Sequence, residues 1–183
     1  EWRDARHPTT KVGDNRMKLG VLIPTFGRPD KLQQIADNLK ETTSGEYELY
    51  WCVEPFDKDT IKAAKKTGAK VILNTDEPRY SNALQAGYEA TDEPIFIGGN
   101  DDFLFLKDWD KEPMRLMKEN KSICVLGVHD GNPNTRFSTI SLVRRSYIEE
   151  QSGVIDMPNR VVYPYFHNYV DDELTNTAKK RGV

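Results

Sequence analysis

Apolar runs short enough to be strands recur along the first hundred residues of this chain, at 19–23, 47–53, 71–74 and 95–97. Between them lie segments whose apolar residues fall at helical spacing. Strands alternating with helices over short connections leave few topologies, and right-handed crossovers then build a largely parallel sheet with helices packed against it. The spacing predicts a helix from about Pro29 with Leu32, Ile35 and Leu39 on one face, and a second over 59–66 closed by Gly68 after a basic last turn. A third is expected over 82–90 with Ser81 as its N-cap. A helix over 108–120 would turn Trp109, Met114 or Leu116, and Met117 toward a core, and 123–128 reads as another buried strand. Residues 129–136 form a polar loop of turn residues, 138–143 alternate as a strand, 146–151 suit a short helix and 161–163 a further strand. A terminal helix enters after His167 and runs through Lys180.

At 183 residues this is one domain of ordinary size. The segment 1–16 is polar and aperiodic, so the folded unit is expected over 17–183, with 1–16 an extension outside it. With 26 basic and 29 acidic residues neither sign dominates, and nothing in the composition points to nucleic acid or an anionic membrane. No apolar run approaches the ~20 residues of a membrane span. A cytoplasmic protein is the resulting expectation. Cys52 and Cys124 each sit inside an apolar run, with no metal-type spacing, and read as buried free thiols.

The chemistry is expected where strands end. Residues 95–97 run into Gly98 and Gly99 and then into Asn100, Asp101 and Asp102. Ligands of open α/β sheets collect beyond the carboxyl ends of strands, and glycines there let a ligand approach the backbone. Adjacent carboxylates repel, and a divalent cation would relieve them. Taken alone, the same trio is ordinary turn chemistry. Pro24, Thr25 and Arg28 follow the first strand in the same way. Glu54 ends the second, where it is either a solvated strand-end residue or an acceptor for a base N–H. Arg79 suits a phosphate or the acidic loop with its planar fork of donors, and Asn82 is a pocket residue or merely the start of its helix. The turn after the first strand is not GxGxxG, which disfavours a dinucleotide-binding dehydrogenase, and the absence of GxxxxGK[ST] excludes a P-loop phosphotransferase at the motif level.

In motif order the chain resembles the family 2 glycosyltransferases of the GT-A fold over residues 17–183. Pro24-Thr-Phe-Gly-Arg28 looks like the family's first nucleotide-contacting loop, and Arg79-Tyr-Ser-Asn-Ala-Leu-Gln-Ala-Gly87 is similar to the helix that precedes its metal motif. Gly99-Asn-Asp-Asp102 looks like the DxD region, with Asn100 at the position a strict motif gives to an acid. Tyr169-Val-Asp-Asp-Glu-Leu174 resembles the late acidic motif that supplies the base of inverting members; Asp171 aligns best with that base, with Asp172 its competitor. The resemblance implies a single α/β domain divided into a nucleotide-binding half, 17–102, and an acceptor half, 103–183. It implies a nucleoside-diphosphate sugar, UDP-linked by preference and GDP-linked as the second choice, held by Pro24, Thr25, Arg28, Glu54, Arg79, Asn82, Asn100 and Asp101. A divalent cation, Mn²⁺ or Mg²⁺, is implied on Asp102 and Asp101, with His167 as a further ligand. The acceptor must be met by the 129–136 loop, the C-terminal segment or a partner subunit of a homo-oligomer. A nucleotidyltransferase, or a GT-A domain that binds a glycan or protein without turnover, are the competing readings.

Overall fold

The computed structural model describes residues 17–128, 138–164 and 170–183. The expected extension 1–16, the 129–136 loop and His167 lie outside the described residues. The chain runs β1 (Leu19–Thr25), α1 (Leu32–Thr42), β2 (Tyr47–Val53), α2 (Lys58–Lys66), β3 (Lys70–Leu73), α3 (Tyr80–Glu89), β4 (Ile95–Gly98), α4 (Lys111–Glu119), β5 (Val125–Val128), β6 (Ile140–Arg144), α5 (Arg145–Gln151) and α6 (Val170–Arg181). One six-stranded sheet of order β3-β2-β1-β4-β6-β5 carries them. The first four strands are mutually parallel. β6 then pairs antiparallel with both β4 and β5.

The two-residue period of the strands divides the core in two. Leu19, Val21 and Ile23 of β1 meet Leu49, Trp51 and Val53 of β2 on the face covered by α1, α2 and Met117 of α4. Leu22, Tyr50, Cys52, Phe96 and Val143 form the other face, covered by Leu84 and Tyr88 of α3, Tyr147 and Ile148 of α5 and Leu174 of α6. The α/β layering expected from the sequence is therefore present.

Local differences have physical reasons. α3 starts at Tyr80, not at 82; Arg79 is its N-cap residue, in extended conformation, and Ser81 is buried inside the first turn rather than capping it. The approach to this helix is organised instead by Asn74 and Asn82, whose side-chain amides both donate to the Glu77 carbonyl, at 3.3 and 2.9 Å. Residues 123–128 yield only the four-residue edge strand β5, so Cys124 is half-buried, whereas Cys52 is fully buried and its thiol is pushed up to about 12 by that burial. Residues 161–163 are not a strand. The Val161 amide donates to the Gln85 side chain at 3.0 Å, and the Arg160 carbonyl accepts from Gly153 at 2.7 Å, so side chains and a tight loop take the bonds a neighbouring strand would have supplied. Trp109 precedes α4, with its indole N–H on the Thr43 hydroxyl at 3.0 Å and its ring 4.5 Å from that of Phe105.

Candidate functional site

β1 lies between β2 and β4, so the chain changes direction across the sheet at β1 and β4. Loops diverge at such a point and leave a crevice beyond the carboxyl ends of the strands. A cavity of about 820 Å³ opens there. Its wall takes Pro24, Thr25 and Arg28 from the end of β1, Glu54 from β2, Arg79 from the start of α3, and Asn100, Asp101 and Asp102 from the turn after β4. Asp171 of α6 also lines it. Of the sequence candidates within the described residues, only Asn82 and Asp172 are not part of this wall.

The acidic turn is held against β1. The Gly99 amide donates to Leu22 O at 2.8 Å, continuing the β1–β4 ladder one step beyond Gly98. A Cβ at Gly99 would come 3.3 Å from Ile23 Cγ1, so the missing side chain is what lets the turn lie this close. Asp101 is buried to 9% exposure; its Oδ2 accepts the Thr25 hydroxyl at 2.8 Å and its Oδ1 accepts Arg28 Nη1 at 2.7 Å. Asp102 faces solvent, with Oδ2 3.8 Å from the same Arg28 nitrogen. The Arg28 loop is tied in turn to α2, since the Gly27 amide donates to Oδ2 of Asp57, the α2 N-cap, at 2.7 Å. Partial desolvation pushes the Asp57 carboxyl up, but the amides of Gly27 and Thr60 contribute to a net value below the ordinary one.

Glu54 is buried at 5% exposure and both its oxygens accept the Asn74 side-chain amide, at 3.0 and 3.2 Å. Burial raises its carboxyl above the ordinary value, the nearby Asp57 charge adds to the rise, and the Asn74 bond opposes it. Beside it Phe26 exposes 61% of its surface at the cavity edge and meets Phe56 edge-to-face at 5.7 Å. Arg79 pairs with Glu77 at 2.6 Å and donates to the Pro164 carbonyl at 3.0 Å. Asn82 sits behind the wall, accepting from Arg160 while donating to Glu77 O.

Asp171 shares the first turn of α6 with Asp172 and Glu173, where the helix N-terminus favours negative charge. Desolvation, and then the Asp171 charge, raise the Asp172 carboxyl. Tyr80, which sequence reasoning passed over, lines the cavity between the two acidic groups: its hydroxyl is 3.4 Å from the Gly99 carbonyl, and burial together with the Asp171 charge raises its phenol. Phe26 and Asn74 were also missed. For Phe26 the available signal was position, since it follows β1 as directly as Glu54 follows β2. Among the described residues no three His, Cys, Asp or Glu side chains converge as a metal site. Asp101 and Asp102 do present an all-oxygen pair toward one guanidinium, a donor set of the kind Mg²⁺ or Mn²⁺ completes with phosphate and water.

Solved structures of glucosyl-3-phosphoglycerate synthase from Mycobacterium tuberculosis share this fold. The complex with Mn²⁺, UDP and phosphoglyceric acid superposes with a TM-score of 0.68 at 14% identity, covering 91% of this chain and 65% of that one. The complex with Mg²⁺ and UDP gives 0.65 at 13% identity, covering 91% and 66%. The complex with Mn²⁺, UDP-glucose and phosphoglyceric acid gives 0.51 at 18% identity, covering 62% and 43%. The chain thus spans between 43% and 66% of the length of these structures. No curated protein sequence matches it. The architecture is that of the GT-A glycosyltransferases. Residues 20–168 match the profile of glycosyl transferase family 2, and the chain belongs to that family.

Proposed function

We propose that this protein transfers a sugar from a nucleoside-diphosphate donor, UDP-linked by preference, to an acceptor hydroxyl with inversion at the anomeric carbon. The observation that carries this reading is a single cavity shared by the end of β1, the acidic turn after β4 and Asp171 of α6, segments more than 140 residues apart at their extremes. Phe26 offers an exposed ring on which a nucleobase can lie while Glu54, oriented by Asn74, accepts a base N–H. Arg79 and Arg28 supply planar donors for phosphate oxygens. Asp102, with Asp101 behind it, would hold a divalent cation, which when bound neutralises the departing diphosphate. Asp171, which lines the same cavity as the acidic turn, takes the proton of the acceptor hydroxyl. Residues of the proposed donor half, 17–102, and acceptor half, 103–183, both line the cavity, and the crystal structures of the tuberculosis enzyme with UDP and UDP-glucose support the preference for UDP. Among the described residues no helix is long and apolar enough to cross a membrane.

A screen of nucleotide-sugars for hydrolysis with Mn²⁺ tests the reading. Asp102→Asn should lose metal-dependent donor binding, whereas Asp171→Asn should keep donor binding and lose transfer by roughly a hundredfold or more. Release of pyrophosphate would identify a nucleotidyltransferase, and nucleotide binding without turnover of any donor would identify a binding module. Full activity in Asp171→Asn would remove Asp171 as the base, and the same substitution test would pass to Asp172 and Glu173.

A further inference from the structure

The two carboxylates after β4 stand in opposite surroundings. Asp101 is buried with both oxygens committed, one to Thr25 and one to Arg28, while the Asp102 side chain is 61% exposed. A single nitrogen, Arg28 Nη1, faces both, at 2.7 and 3.8 Å. The Arg28 side chain is itself half exposed, and its backbone is anchored through Gly27 to Asp57. Its loop is therefore fixed while its guanidinium can swing through the cavity it helps to line.

Charge accounting then gives Arg28 a role that a permanent ion pair would not have. Two carboxylates and one guanidinium leave one negative charge uncompensated. A divalent cation on the same carboxylates compensates both and makes the guanidinium surplus. A dication on the oxygens of Asp101 and Asp102 would lie within a few ångströms of the Arg28 guanidinium, and like charges that close repel, so the two positive groups compete for the same carboxylates. The released fork has the geometry for two phosphate oxygens. We infer that Arg28 is the resident counter-ion of the donor site, which gives up Asp101 and Asp102 to an incoming divalent cation and transfers to the donor's diphosphate, so that cation and nucleotide each strengthen the other's binding. The diphosphate half of this exchange rests on the proposed donor; the competition between Arg28 and a cation does not.

Mn²⁺ binding to the full chain, read from the electron paramagnetic resonance of free Mn²⁺, separates the two halves. Wild type, Arg28→Met and Arg28→Lys are compared with Mn²⁺ alone and then with saturating UDP, with GDP in parallel. Neither substitution opens the core, since Arg28 is exposed. With Mn²⁺ alone, Arg28→Met is expected to bind about 5- to 10-fold more tightly than wild type, the scale of a typical coupling between sites, and Arg28→Lys to stay within about twofold of it. UDP should tighten Mn²⁺ binding to wild type by a larger factor than to Arg28→Met. Mn²⁺ binding by Arg28→Met that is unchanged, weaker or undetectable overturns the inference and leaves Arg28 as a fixed support for Asp101. An equal UDP effect in both proteins overturns the transfer to diphosphate. If neither nucleotide binds wild type while Arg28→Met gains Mn²⁺ affinity as expected, the donor reading fails and the counter-ion role stands.

Discussion

Glu54 is a carboxylate that the fold makes reluctant to ionise, and that reluctance has a measurable consequence. Burial and the Asp57 charge raise its pKa against the opposing Asn74 bond, so it takes up a proton at a higher pH than the ~4.3 of a free glutamate. Protonated, it loses acceptor capacity toward a base N–H. UDP affinity is therefore expected to begin falling, as the pH is lowered, before the range in which a free glutamate titrates, and titration calorimetry should show that part of the pH slope vanish in Glu54→Gln, whose binding is weaker than wild type at neutral pH. The folded pKa lies above the unfolded one, so protonation of this group stabilises the fold, and the loss of affinity is not a loss of structure. A slope identical in the two proteins would remove Glu54 from the nucleobase. Glu54 was visible in the sequence because it ends a strand. Its partner Asn74 was not, because their pairing depends on β2 and β3 lying side by side in register. The same holds for Asp101, whose partners Thr25 and Arg28 are 76 and 73 residues away along the chain and become neighbours only through the β1–β4 pairing.

Among the elements, the loop from Ser152 to Val162 departs most from its sequence pattern. Val161, Val162 and Tyr163 have strand propensity, yet Val161 and Val162 are buried side chains of an irregular segment that walls the cavity. Tertiary packing overrode propensity because the Ser152 hydroxyl gathers the loop, donating to the Arg160 carbonyl at 2.9 Å and accepting the Arg160 amide at 3.0 Å. Gly153 passes beneath it so closely that a Cβ would fall 1.9 Å from the Val161 carbonyl oxygen. No rotamer change relieves a contact with backbone. Gly153→Ala is expected to cost about 2–3 kcal/mol and lower the melting temperature by roughly 5–10 °C, with donor binding weakened through the displaced wall. An unchanged melting temperature would mean that the loop is free to move away. The parallel elements, by contrast, were legible as units, since each strand is followed by a helix with its own apolar face. The direction of β6 was not, because alternation along 138–143 marks a strand without marking which way it runs.

At the scale of the whole molecule, the antiparallel β6 joins the C-terminal part of the chain to the parallel strands, and α6 packs Leu174 into the same core cluster as Leu22 of β1 and Leu84 of α3. The cavity is lined by residues from the ends of β1 and β4 and by Val170, Asp171 and Leu174 of α6, so a ligand filling it touches structure contributed from both ends of the described chain. That arrangement predicts how binding should appear in calorimetry. A unit sharing one sheet and two continuous core clusters should unfold in a single transition. UDP with Mn²⁺ at about 100 times its Kd adds about 2.7 kcal/mol, which for a chain of this size raises the melting temperature by roughly 5–10 °C. Because the diphosphate is expected to complete the cation's ligand shell, the shift with UDP and Mn²⁺ together should exceed the sum of the shifts with each alone. Two transitions, only one of them moved by ligand, would contradict the shared core. A single transition that no nucleotide moves in the presence of Mn²⁺ would leave the fold as described and remove the donor from this cavity.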